Sequence, residues 1–193
     1  MAKTNQSDGP VTVSAESLAS SVRAAKVARG LPPVEAWNPP FCGDLDMRIA
    51  RDGTWFYLGT PIGRPELVKL FSTIIRRDGD DYFLVTPVEK VGITVDDAPF
   101  VAVDFEVEGD ALRFVTNVGD EAVAGPDHPI RVERDPQTGE PSPYVLIRRN
   151  LEALIDRKSF YRLVDRGEVA GDMFGLRSQG AFFPICPAAE LEV

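Results

Sequence analysis

The sequence predicts an α+β protein with a duplicated β-rich arrangement: an N-terminal β-hairpin plus helix, then a larger antiparallel β-barrel-like part closed by a C-terminal helix. Three observations predict it. Short runs rich in valine, isoleucine and aromatics follow one another from Tyr82, punctuated by Asp96-Asp97, Gly109-Asp110, Gly119 and Pro136. A pattern of turn plus strand occurs twice before residue 90. Helical spacing is confined to a few stretches, and the last comes after the strands. Strands first and helix last is the order of a pleckstrin-homology-like barrel, an analogy of fold alone.

Residues 1–15 are small and polar without an apolar period and are expected to be disordered. Leu18, Val22, Ala25 and Val27 give a short helix over Ser17 to Arg29, stopped by Gly30, Pro32 and Pro33. Val34 to Pro40 reads as an extended connector. Asp46 to Ala50 and Trp55 to Gly59 flank Asp52-Gly53, which supplies the positive φ of a hairpin. Pro65 opens the next helix, since it has no amide hydrogen to lose in a first turn. Leu67, Leu70, Phe71 and Ile74 continue it, with Arg76 and Arg77 in the last turn and Gly79 closing it. Expected strands follow at Tyr82 to Thr86, Val91 to Val95, Phe100 to Glu108, Ala111 to Val118, Ile130 to Arg134, Tyr144 to Arg148 and Leu151 to Ile155. Arg157 to Arg166 is the closing helix, burying Phe160, Leu163 and Val164. The division is 1–35 for a polar arm and short helix, 36–80 for the N-terminal α+β part, and 81–193 for the barrel-like part with its helix and tail.

Arg51 to Ile62 aligns without gaps on Arg77 to Val88, sharing R-D-G, an aromatic pair, leucine and T-P. Two pseudo-equivalent β elements would place Thr60-Pro61 and Thr86-Pro87 at matched strand ends, with a pocket at the seam between them.

A net charge of -9 disfavours nucleic-acid polymers and anionic membranes as partners. The charge is uneven: Asp78 to Asp127 holds thirteen acids against Lys90 and Arg113, whereas Pro143 to Gly180 holds seven bases and five acids. Nothing in the first residues resembles a signal peptide, and no eighteen apolar residues run together, so a cytoplasmic protein is expected. Cys42 and Cys186 stand far apart with no neighbouring histidine, and His128 is the single histidine, so neither zinc nor a redox pair is suggested. The sequence assigns no cofactor and no catalytic residue. Asp44 with Asp46, and Asp96 with Asp97, are spaced to act as acid/base pairs or hold a hard cation, although turn chemistry explains them more simply. Gly175 to Gly180 lacks the spacing of a nucleophile elbow.

A binding site is better supported than a catalytic one. Arg64 precedes Pro65 where free amides and the helix dipole favour an anion. Trp55 offers a ring face for stacking. Lys90, Arg148 and Arg177 are further cationic groups in segments able to converge there.

Three blocks, DGTWFYLGTPIGR at 52–64, LVTPVEK at 84–90 and VDDAPF at 95–100, together with Tyr144 to Gly167, resemble the bacterial family called domain of unknown function 1285. That resemblance implies a duplicated β-rich arrangement, a ligand site where two parts meet, a nucleotide-like ligand and a signalling role. Carried onto this chain, it draws Trp55, Thr60, Pro61 and Arg64 from the first part and Thr86, Glu89, Lys90, Asp97 and Phe100 from the second. The expected function is a non-catalytic binding or sensory module for a small anionic ligand. An enzyme using aspartates, or a module adding a partner protein's strand to a sheet edge, is the alternative.

Overall fold

The computed structural model describes residues 13–25 and 30–192. The expected disorder of residues 1–12 and the Val27 end of the first helix lie outside them. Helix α1 (Ala15–Ala24) starts two residues earlier than expected because Ser14 and Ser17 form a reciprocal capping box. It buries Leu18, Ala19 and Val22 in the core. The connector is not wholly extended, since Val34–Ala36 makes a 3-10 turn that buries Val34.

Two six-stranded sheets follow. The first contains β1 (Phe41–Ile49), β2 (Trp55–Tyr57) and β3 (Thr60–Pro61), then α2 (Pro65–Ser72), then β4 (Ile75–Asp78), β5 (Asp81–Val85) and β6 (Lys90–Val95), in the order β3-β2-β1-β6-β5-β4. The second contains β7 (Phe100–Glu108), β8 (Ala111–Thr116), β9 (Glu121–Val123), β10 (Ile130–Arg134), β11 (Pro141–Arg148) and β12 (Leu151–Ile155), in the order β10-β11-β12-β7-β8-β9. The two orders are the same topology. Each half is a pair of three-stranded antiparallel meanders whose first and last strands lie parallel at the centre, β1 with β6 and β12 with β7. Matched bonds close each centre: Asp96 N donates to Ile49 O at 2.9 Å, and Asp156 N donates to Ala102 O at 3.0 Å. The duplication therefore relates whole halves.

The twelve-residue repeat is a smaller likeness. Both copies contain a hairpin turn entering a strand, with Gly53 at φ 85 and Gly79 at φ 64. Beyond that they diverge: Leu58 and Gly59, both at positive φ, turn the chain so that Thr60-Pro61 become β3, whereas Thr86 and Pro87 lie in the turn before β6. Three strand spacings separate β3 from β6, so the two T-P pairs enclose no pocket.

Three expectations need correction. Helix α2 ends at Ser72, and Arg76 and Arg77 belong to β4. The Ser72 and Thr73 hydroxyls donate back to the Lys69 and Leu70 carbonyls, which competes with continuing the helix. Tertiary pairing then takes over, with Ile75 opposite Leu84 and the buried Arg76 guanidinium donating to Val34 O at 3.1 Å and Trp37 O at 2.9 Å. The division at 80/81 falls at the β4–β5 turn, and the first sheet continues to Val95. Lastly, the expected tail forms a third sheet behind α3 (Arg157–Val164): β13 (Glu168–Ala170), β14 (Met173–Ser178) and β15 (Ala181–Pro187). Its β14 packs against β8 and α3, and β15 against β10. No helix among the described residues is long and apolar enough to cross a membrane.

Candidate functional site

The seam between the halves is bolted by polar contacts. Arg148, at the end of β11, donates to the Asp120 carboxylate and to Ser72 O at 2.5 Å, and lies 4.8 Å over the Phe100 ring. Burial pulls its pKa below the usual arginine value, opposed by the Asp120 charge. Asp97 accepts from Tyr144 Oη at 2.7 Å and pairs with Arg51, which also donates to Ser142 Oγ at 2.8 Å. Burial and the Asp97 carboxylate push the Tyr144 phenol up. Asp97 on one side, and Phe100 with Arg148 on the other, thus have protein groups as their partners. Asp96 pairs with Arg48 at 2.5 Å, so the Asp96-Asp97 pair is occupied by arginines.

Other expected residues lie elsewhere. Thr86 is fully buried, and its hydroxyl accepts the amides of Val88 and Glu89, shaping the turn before β6. Glu89 accepts from Ser21 Oγ at 3.1 Å and ties α1 down. Lys90 donates to Asp78 at 2.7 Å and sits 3.8 Å over Phe83, on the face of the first sheet. Thr60 and Pro61 are exposed on the edge strand β3. Arg177, on β14, pairs with Glu168 at 2.7 Å and does not converge with the rest.

Trp55 lines a seam cavity of about 430 Å³, with Gly53 from the first hairpin, Gly63, Glu66 and Lys69 from around the start of α2, and Asn117 from the β8–β9 turn, whereas Arg64 is outside its lining. Gly53 is packed tightly there: a Cβ on it would lie 2.6 Å from Asn117 Nδ2. Trp55 is 2% exposed, and its ring is stacked on Phe71 at 6.4 Å, so it is a core wall and not the stacking platform expected. Its indole Nε1 is buried with no hydrogen-bond partner, an arrangement that costs free energy. Helix α2 adds a second deficit. Ser14 caps α1 and Asp156 caps α3, but at the N-cap of α2 stands Arg64, whose side chain makes no capping bond. Of the first-turn amides of α2 only that of Glu66 has no partner, since Pro65 has no N–H and Leu67 N and Val68 N donate to Arg64 O at 3.0 and 3.3 Å. The cavity is lined by the Lys69 ammonium and the Glu66 carboxylate, and the exposed Arg64 stands between its lining residues Gly63 and Pro65 in the chain. Lys69, one turn after Pro65, was legible as part of the helix start. Asn117 was not, because only the docking of the halves brings it there.

Among the described residues no three histidine, cysteine, aspartate or glutamate side chains gather to hold a metal.

Comparison with known proteins agrees with the division into halves. The profile described as "Domain of unknown function (DUF1285), N-terminal domain" matches residues 32–98, and "Protein of unknown function (DUF1285), C-terminal domain" matches 99–185. A crystal structure of a DUF1285 family protein from Silicibacter pomeroyi DSS-3 is similar over 91% of this chain and 98% of that one, at 63% identity and a TM-score of 0.85. Another, from Shewanella baltica OS155, covers 63% of this chain and 91% of its own, at 32% identity and a TM-score of 0.50. No curated protein matches. The chain belongs to the DUF1285 family.

Proposed function

We propose that the protein is a non-catalytic binding or sensory module, holding a small anionic, nucleotide-like ligand in the seam cavity and serving signal transduction in the cytoplasm. The observation that carries this reading is a cavity walled by both halves at which the first turn of α2 has no side-chain cap and Lys69 brings an ammonium. A helix N-terminus favours an acceptor with negative charge there. About 430 Å³ suits a small ligand. Glu66 limits the charge that can approach, so a single phosphomonoester fits better than a polyphosphate. The second half, six strands followed by α3, is read as pleckstrin-homology-like on element order alone.

An aspartate-based enzyme is the weaker reading. A catalytic acid needs a carboxyl raised by burial, whereas the carboxylates with displaced values, Asp52, Asp78, Asp104, Glu108 and Asp135, are all displaced downward.

Thermal-shift screening of the full chain against nucleoside monophosphates and small phosphorylated metabolites tests the proposal. At least one compound should raise Tm, and Lys69→Ala and Arg64→Ala, both exposed positions, should lose the shift while keeping the unliganded Tm. A panel without any shift, or shifts that survive both substitutions, overturns it.

A further inference from the structure

A second cavity, of about 340 Å³, lies between the start of β11, the end of β12 and α3, with Arg51 of the first half in its lining. It shares no lining residue with the seam cavity. Its walls are apolar: Phe160 is nearly buried beneath it, Pro141 and Pro143 flank it, and Tyr161 stands at its side with 57% of its surface exposed. An aromatic ring left this open beside a concave apolar surface gains free energy when another apolar body covers it.

The charges around it are balanced, Arg51 and Arg157 against Glu140 and Asp156. In the seam cavity the lining carries a single pair of charges, Lys69 and Glu66, beside the uncapped start of α2. Each charge keeps capacity for a ligand. Arg157 and Glu140 face each other at 3.6 Å with side chains 74% and 64% exposed, a pair worth little and exchanged at little cost. Arg157 Nε also donates to Tyr161 Oη at 3.0 Å, which fixes the guanidinium beside the ring. Asp156 uses Oδ1 to cap α3 through the Ser159 amide at 2.7 Å, while Oδ2 has no hydrogen-bond partner among the described residues. Arg51 is held in place by Asp97 and Ser142.

We propose that this cavity binds a small zwitterion with an apolar body, the chemistry of a free α-amino acid with an aromatic or branched side chain. Its carboxylate is taken by Arg157 and Arg51, its ammonium by Asp156 and Glu140, and its side chain lies between Phe160 and Tyr161. A mononucleotide fits less well, because its phosphate brings net negative charge beside two carboxylates. The inference stands whether or not the seam cavity binds an anion.

Calorimetric titration of the full chain with L-phenylalanine and L-leucine, and with 3-phenylpropionate and 2-phenylethylamine as single-charge analogues of the first, provides the test. One of the amino acids should bind, and each single-charge analogue should bind roughly tenfold more weakly than L-phenylalanine. Arg157→Gln and Tyr161→Ala, both at exposed positions, should each weaken binding about tenfold without changing Tm, while Lys69→Ala should leave it unchanged. The proposal is overturned if neither amino acid binds at about 10 mM, which is weaker than the millimolar affinity a small site of this kind reaches. It is equally overturned if the analogues bind as well as L-phenylalanine, or if Lys69→Ala abolishes binding while Arg157→Gln does not.

Discussion

The two halves share a topology and differ in where each keeps its helix. In the first, α2 is inserted between the meanders, joining β3 to β4. In the second, a short turn around the Gly125–His128 bridge joins β9 to β10, and α3 follows the last strand. Two topologically equivalent aspartates record the consequence. Asp96 and Asp156 each follow the last strand of a half and each donate an amide to its first strand, yet Asp96 pairs with Arg48 where a linker follows, and Asp156 caps α3. The helix of the second half is thus capped by the duplicated scaffold itself. That of the first half starts from an inserted segment with no such residue. One ancestral plan therefore yields two unlike helix starts, one closed and one open.

The largest expected effect comes from separating the halves. Arg148→Ala strands the Asp120 carboxylate and the Ser72 carbonyl at the seam, and should cost about 3 kcal/mol in urea-unfolding experiments. A loss near zero would show that the halves dock by apolar contact alone. Next come the two helix starts. Asp156→Ala removes a working cap and should destabilise by about 1 kcal/mol, whereas Arg64→Ser supplies a missing one and should stabilise the unliganded protein by about 1 kcal/mol. Equal losses in both would erase the contrast. The smallest effect is on pH. The amide of Thr54 is the largest of the causes that hold the Asp52 carboxyl, in the first hairpin, below its usual 3.8. A folded value below the unfolded one stabilises the protein above the unfolded pKa, and that contribution disappears as pH falls through the folded value. Stability measured by urea unfolding should therefore decline below about pH 4, and Asp52→Asn should flatten that decline slightly.

Much of the second half was legible because its strands alternate and its turns are marked: the expected bounds of Phe100–Glu108, Ile130–Arg134 and Leu151–Ile155 match the structure. The first half was harder. Ile74 continues a helical period, but Ile75 to Asp78 pairs as a strand because β5 lies beside it, a partner that spacing within the segment cannot reveal. The third sheet was missed for a similar reason. Gly175 lies so close to β15 that a Cβ would fall 2.2 Å from the Phe183 carbonyl oxygen, so a residue that reads as a strand breaker is there to permit strand packing. At the candidate site, the start of α2 was visible in Arg64-Pro65 and the role of Trp55 was not. Tryptophan on a strand fits a platform or a core wall equally well, and only Phe71 against its face decides.

The parallel pairing of first with last strands bears on how the chain is made. Phe41 lies opposite Lys90, and Phe100 opposite Ala153. On the ribosome neither sheet can join its central strands until roughly fifty further residues have left the exit tunnel, and such long-range closure is slow. Until then each nascent half exposes the bare hydrogen-bonding edge of its opening strand, the interval in which a chaperone would matter most.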